Sequence, residues 1–162
     1  MTYRVCFVCT GNICRSPMAE AVFRARVEKA GLAEWVEVGS AGTGGWHEGH
    51  GADPRTRAVL EEHGYPSAHT ARRFRAASFA AFDLVVALDE GHLRDLRKLA
   101  PTPRDAAKVR LLRSYDPEAG ALDVPDPYYG GVEDFEECLK MVEAASERLL
   151  TAVRENLEGP AA

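Results

Sequence analysis

The chain has 162 residues, 46% of them hydrophobic, enough to bury roughly two-thirds of the surface its unfolded form exposes, which excludes a disulfide-held miniprotein. Its 25 acidic and 20 basic side chains give a formal net charge of -5, so the molecule as a whole repels nucleic acid and anionic lipid, and any anion it binds is held by a local site. The four cysteines, Cys6, Cys9, Cys14 and Cys138, are too few and too unevenly spread for a disulfide framework, and no basic stretch leads into a long apolar run; both features point to a reducing, cytoplasmic home with no membrane span.

No repeat, low-complexity tract or linker divides the sequence, so one domain is expected over residues 1–157, followed by a short polar tail at 158–162. Tyr3 to Val8 reads as the first strand. Ala19, Val22, Phe23, Val27 and Ala30 then fall at helical spacing, with Ser16 as the expected N-cap, Pro17 at the first helical position and Gly31 as the stop. Trp35 to Ser40 is the second strand, and a helix follows from about Pro54 to His63, ending at Gly64. Leu84 to Leu88 is the third strand, about Glu90 to Lys98 a helix, and Val109 to Leu112 the fourth strand. The last helix, from about Val132 to Asn156, sets Phe135, Leu139, Val142, Leu149, Val153 and Leu157 along one stripe. Strands alternating with helices predict an α/β fold, a doubly wound, four-stranded parallel sheet flanked by helices. Ligands of such sheets sit beyond the C-terminal strand ends, which directs attention to the loop that begins at Cys9.

That loop reads Cys9-Thr10-Gly11-Asn12-Ile13-Cys14-Arg15-Ser16. Gly11 and Asn12 are residue types that tolerate positive φ, so the loop can curl tightly and aim several backbone N–H groups at one point beside the positive end of a helix dipole. Such a point suits a tetrahedral oxyanion. The same donors favour the thiolate form of a cysteine at the base of the cradle. Arg15, planar and permanently charged, can take two phosphoryl oxygens bidentately, and Ser16 is placed to hydrogen-bond the Cys9 sulfur. Cys6 and Cys138 read as packing residues.

With those residues in view, the sequence resembles the low-molecular-weight protein tyrosine phosphatases, whose signature is C-x5-R-[ST]-P directly after the first strand. The likeness extends over essentially the whole chain. It includes Val8 to Glu20, Ser40-Ala41-Gly42-Thr43 with the Trp46 that follows, Asp53-Pro54-Arg55, Asp89-Glu90, and Asp126-Pro127-Tyr128-Tyr129-Gly130. The resemblance implies that Cys9 is the nucleophile, that Arg15 and the loop from Cys9 to Ser16 bind the phosphoryl group, and that Asp126 is the general acid. Pro125 and Pro127 restrict the backbone around Asp126. It implies further that Asn12, Ser40 and His69 form a hydrogen-bond network supporting the loop, and that Trp46, Tyr128 and Tyr129 wall a slot for a flat phenyl phosphate. Oxidised Cys9 is expected to be trapped as a disulfide with Cys14. The implied substrates are phosphotyrosine proteins and small aryl phosphates, with phosphate or another oxyanion in the loop. No cofactor and no metal is expected; His47, His50, His63 and His92 show neither metal-ligand spacing nor a carboxylate partner pattern and read as surface or packing residues.

Three rivals share parts of this pattern. Arsenate reductases use the same fold and loop but need a relay of further cysteines, and Phe79 to Leu96 contains none. Protein-arginine phosphatases tend to carry Thr where Ile13 stands. A phosphocysteine carrier or phosphate-binding module would need the loop but not Asp126 with its tyrosine pair. Arg72, Arg73 and Arg75 read as a solvated charged face.

Overall fold

A computed structural model describes residues 2–158 of the chain. In chain order the elements are β1 (Tyr3–Cys9), α1 (Arg15–Lys29), β2 (Val36–Gly42), α2 (Pro54–Glu62), β3 (Leu84–Ala87), α3 (Glu90–Leu99), α4 (Pro103–Ala106), β4 (Val109–Leu111) and α5 (Val132–Glu158). All strand pairs are parallel, in the spatial order β2-β1-β3-β4. From β1 the chain crosses to β2 on one side and later returns to β3 on the other, so the loop after β1 sits at the point where the winding reverses.

From Val5 on, the residues of β1 alternate between two apolar layers, which is why this part of the strand is apolar without a break rather than alternating. Val5 and Phe7 pack with Met18, Val22 and Phe23 of α1 and with Phe135, Leu139, Val142, Leu149 and Val153 of α5. Cys6 and Val8 face the other layer, with Phe74, Phe79, Val85, Leu96 and Val109. Phe7 and Phe23 meet edge to face, ring centroids 5.5 Å apart, and truncating either to Ala would cost about 3–5 kcal/mol.

Most expected elements lie where the sequence places them, with shifted ends. β2 runs two residues beyond Ser40, because its ladder with β1 continues to the pair Cys9 and Gly42. β3 and β4 each end one residue early. The expected N-cap of α1 is corrected: the helix starts at Arg15 with Cys14 at the cap position, because the Ser16 hydroxyl turns to Cys9 and Ala41 instead of capping the helix. Gly31, at φ 74°, stops α1 as its sequence position implies. The sequence reading missed α4 and two short 3-10 helices, Ala76–Ala81 and Leu112–Tyr115, all too short to show a period. Of the expected polar tail, Glu158 closes α5 and 159–162 lie outside the described residues. Among the described residues no helix is long and apolar enough to cross a membrane.

Candidate active site

The loop between β1 and α1 is tied down from outside through its carbonyl groups. Thr43 N–H donates to Cys9 O at 2.8 Å, Gly44 N–H to Thr10 O at 2.9 Å, and Asp53 N–H to Ile13 O at 2.9 Å. His69 Nε2 donates to Asn12 O at 2.7 Å. Peptide planes whose carbonyls are drawn outward present their N–H groups inward, toward the hollow above the Cys9 sulfur. Asn12 takes the left-handed conformation at φ 57°, as its residue type allows. Gly42 has no alternative: a Cβ there would lie 2.6 Å from Thr10 O.

The buried Asn12 side chain holds the network together. Its Nδ2 donates to Ser16 Oγ at 2.8 Å and to Ser40 Oγ at 2.9 Å, while its Oδ1 accepts from Arg72 N–H at 2.9 Å. Ser40 in turn donates to Glu20 Oε1 at 2.5 Å. Burial holds the His69 pKa below its ordinary value, so a neutral ring donates through Nε2 to the Asn12 carbonyl. At the base of the hollow, Cys9 Sγ lies 2.9 Å from Ser16 Oγ and accepts Ser16 N–H at 3.4 Å. The hydroxyl proton has a second acceptor, Ala41 O, but at 3.3 Å. The shorter contact is to sulfur.

Arg15 is 3% exposed and held by several partners. Its Nη1 donates to Asp89 Oδ2 and to Val124 O, each at 2.9 Å, and its Nη2 lies 3.8 Å from Asp126 Oδ2. Burial opposes the guanidinium charge, but Cys9, Asp89 and Asp126 outweigh it and push the pKa up. Burial likewise works against the Asp89 carboxylate, and the backbone N–H of His92 together with the Arg15 guanidinium overcomes it, holding Asp89 below the usual range.

Sequence reasoning missed two contributors here. His92, read there as a surface or packing residue without a carboxylate partner, is buried with Nδ1 3.2 Å from Asp89 Oδ1 and Nε2 2.8 Å from Thr10 Oγ1. Burial and then the Arg15 charge lower its pKa to about 4. Arg15 Nη2 can only donate, at 3.4 Å, to His92 Nε2, so Nε2 is the unprotonated nitrogen and the Thr10 hydroxyl donates to it as well. Asp89, present in the resemblance but given no role there, caps α3 by accepting His92 N–H at 2.8 Å. Its position directly after β3, the strand beside β1, is the signal that identifies it. His63 is a further correction, since its Nε2 lies 2.9 Å from Glu136 Oε2.

Asp126 accepts Tyr128 N–H at 3.1 Å, a local turn that orients the carboxylate. Just upstream, Val124 is fastened between β3 and Arg15: its N–H donates to Leu88 O at 2.8 Å and its carbonyl accepts from the guanidinium. Arg55 secures the other side of this loop, with Asp53 at 3.0 Å, Gly130 O at 3.3 Å, and the rings of Tyr128 and Phe135 at 5.4 and 4.6 Å from its guanidinium carbon. The resulting cleft of about 210 Å³ brings together Cys9, Arg15, Asp126, Trp46, Tyr128 and Tyr129, with Ile13, Cys14 and His47 in its lining. Trp46 and Tyr129 are 74% and 92% exposed, free faces for a flat ligand. Cys14 is buried, and burial followed by the Asp53 charge pushes its pKa up to about 12. Cys138 is likewise pushed up to about 12 by burial, and Cys6 is raised for the same reason, in keeping with packing roles.

A parallel α/β sheet with a cysteine cradled after its first strand, a buried arginine in the same loop and a carboxylate across the cleft is the architecture of the cysteine-dependent phosphatases. A family model described as low molecular weight phosphotyrosine protein phosphatase matches residues 4–159. The chain is similar to a low molecular weight protein-tyrosine-phosphatase of Streptomyces coelicolor, 75% identical over 100% of both chains. It is also similar to low molecular weight protein-tyrosine phosphatase A of Mycobacterium tuberculosis, 52% identical over 94% of this chain and 93% of that one. Among solved structures, a protein tyrosine phosphatase from Entamoeba histolytica with Hepes in its active site superposes with a TM-score of 0.92 at 34% identity, covering 96% of this chain and 99% of that one. The chain belongs to the low molecular weight phosphotyrosine protein phosphatase family.

Proposed function

We propose that this phosphatase hydrolyses phosphotyrosine and small aryl phosphate monoesters by double displacement at phosphorus, with Cys9 as nucleophile, Arg15 as phosphoryl ligand and Asp126 as general acid and base. The observation that carries the reading is the convergence of these three side chains on one cleft, with Arg15 held from behind by Asp89.

In the first step the Cys9 thiolate attacks phosphorus in line. A P–S bond forms, the P–O bond to the aryl group breaks, and Asp126 gives its proton to the departing phenolate. The inward N–H groups and the guanidinium stabilise the equatorial oxygens of the loose transition state. In the second step Asp126, now ionised, takes a proton from the water that attacks the phosphocysteine, releasing phosphate and restoring the thiolate. Ser16 Oγ, 2.9 Å from the sulfur, stabilises the thiolate as it leaves.

The apolar Ile13 side chain and the aromatic rings on the cleft favour an aryl over a guanidino leaving group. Two further roles belong to the same reading: Cys14, on the same cleft, traps an oxidised Cys9 as a disulfide, and Asn12, Ser40 and His69 hold the loop's shape. The decisive experiment compares turnover of phosphotyrosine, phosphoserine and phosphoarginine peptides by the wild type and by Cys9→Ser. Phosphotyrosine is expected to be preferred, and Cys9→Ser to be inactive. Preference for phosphoarginine, or full activity in Cys9→Ser, overturns the assignment.

A further inference from the structure

Beside the active-site cleft lies a second, larger groove of about 480 Å³, whose lining includes Trp46, Arg73, Arg75, Asp95, Leu96 and Leu99. The two share one wall, since Trp46 lines both. The indole lies against Gly44, where a Cβ would run into the ring, so Trp46 stands as the partition between the two. The groove's floor is bound to the phosphate loop. Gly42 N–H donates to Arg72 O at 2.8 Å and Phe74 N–H to Gly42 O at 2.7 Å, and Gly42 also pairs with Cys9 at the end of β1. A chain that leaves the cleft past Trp46 enters a site held in rigid register with the reacting phosphorus.

The groove combines apolar surface with one arginine that forms no ion pair among the described residues, although the Glu48 carboxylate lies near its stem. Leu99 and Trp46 are large exposed hydrophobic side chains on its walls. Arg75 is paired with Glu48 at 3.2 Å. Arg73 forms no ion pair among the described residues, and its stem lies against the Gly45 backbone, where a Cβ would be 3.2 Å from Arg73 Cδ. Asp95, on the α3 side, is the one carboxylate in the lining. On a molecule of net charge -5 an acidic peptide meets no general attraction, so a local cation beside the entrance discriminates by sequence rather than attracting anions in general.

Resting on the phosphotyrosine reading above, we propose that this groove seats the peptide residues flanking the phosphotyrosine and that Arg73 selects substrates with an Asp or Glu within a few positions of it. The carboxylate pairs with the free guanidinium, while an apolar neighbour lies on Leu99 and the outer face of Trp46. Asp95 opposes the preference and limits its size.

The test is a set of phosphotyrosine peptides with Asp, Ala or Lys scanned through the three positions on either side, assayed for kcat/KM with p-nitrophenyl phosphate as the flank-free control. The wild type is expected to favour Asp over Ala by about threefold at its best position, the scale of a solvent-exposed ion pair, and the preference should shrink at high salt. Arg73→Ala should abolish it, Arg73→Glu should turn it toward Lys, and Asp95→Asn should enlarge it, all with unchanged turnover of p-nitrophenyl phosphate. An Asp-to-Ala ratio unchanged in both Arg73 variants overturns the proposal. So does a parallel loss of p-nitrophenyl phosphate turnover, which would mean that Arg73 acts through the phosphate loop. A wild type inactive on p-nitrophenyl phosphate and on every peptide overturns the catalytic reading instead.

Discussion

The Arg55 guanidinium lies over the Tyr128 ring, 5.4 Å from its centroid, while the same group holds Asp53 at 3.0 Å. Asp53 caps α2 and donates its N–H to Ile13 O at 2.9 Å. Arg55 therefore links the phosphate loop to the loop that carries Asp126. Arg55→Ala is expected to lower kcat/KM roughly three- to tenfold on phenyl phosphate, through a less well placed acid in the first step, and less on p-nitrophenyl phosphate, whose leaving group needs little protonation. Inhibition by inorganic phosphate should stay near the wild-type value. A series of aryl phosphates of graded leaving-group pKa measures the difference, and a uniform loss across the series would remove the link.

Asp126→Asn keeps the turn to Tyr128 N–H, because a side-chain amide oxygen accepts as a carboxylate does. Turnover of phenyl phosphate should nonetheless fall by about 10²–10⁴-fold. Since the proposed mechanism also has Asp126 activate water, steady-state assays should show phosphocysteine accumulating whenever the leaving group is good. Mass spectrometry of quenched enzyme detects this as a phosphate adduct on Cys9.

His92 ties folding stability to pH. Its folded-state pKa is held to about 4, below the 6.5 of an unperturbed ring. Between these values the unfolded chain binds the proton and the folded chain does not, so the His92 contribution to stability is lost as pH drops from about 6.5 to about 4 and is constant below that. The shift corresponds to about 3 kcal/mol. Denaturant unfolding across this range should show the slope, and His92→Asn should reduce it.

Gly42 is the point of closest approach between β2 and the phosphate loop. Gly42→Ala sets a Cβ 2.6 Å from Thr10 O and 3.1 Å from Asn12 N, and backbone on both sides leaves neither free to yield. The variant should lose about 1–3 kcal/mol of stability and bind inorganic phosphate at least tenfold more weakly. Phosphate titration by calorimetry checks the second effect separately from the first.

Cys14 shares the cleft with Cys9, but burial keeps its thiol protonated, with a pKa of about 12. After peroxide converts Cys9 to a sulfenic acid, disulfide formation with release of water is therefore expected to be slow but protective. Cys14→Ala should recover less activity on thiol treatment than the wild type. Equal recovery would leave Cys14 a packing residue.

The cradled cysteine, the arginine of the same loop and the order of the elements were legible in the sequence because they depend on neighbours in the chain. A strand, a loop carrying Gly11 and Asn12 and a helix stopped at Gly31 form one continuous segment, and its pattern of apolar spacing and turn residues is local. The resemblance extended that reading to Asp126, the aromatic walls and the Asn12 network. What no local pattern contained is how Arg15 is held. Asp89 and His92 reach it because β3 lies beside β1 in the order β2-β1-β3-β4, and a one-dimensional pattern of apolar residues does not specify which strands are neighbours. The same holds for Arg55 over Tyr128 and for the groove behind Trp46, where residues far apart in the chain meet through packing. Sequence determined the chemistry available in the loop. Tertiary structure decided which charges face it, because electrostatic contacts depend on distance in space and not on separation along the chain.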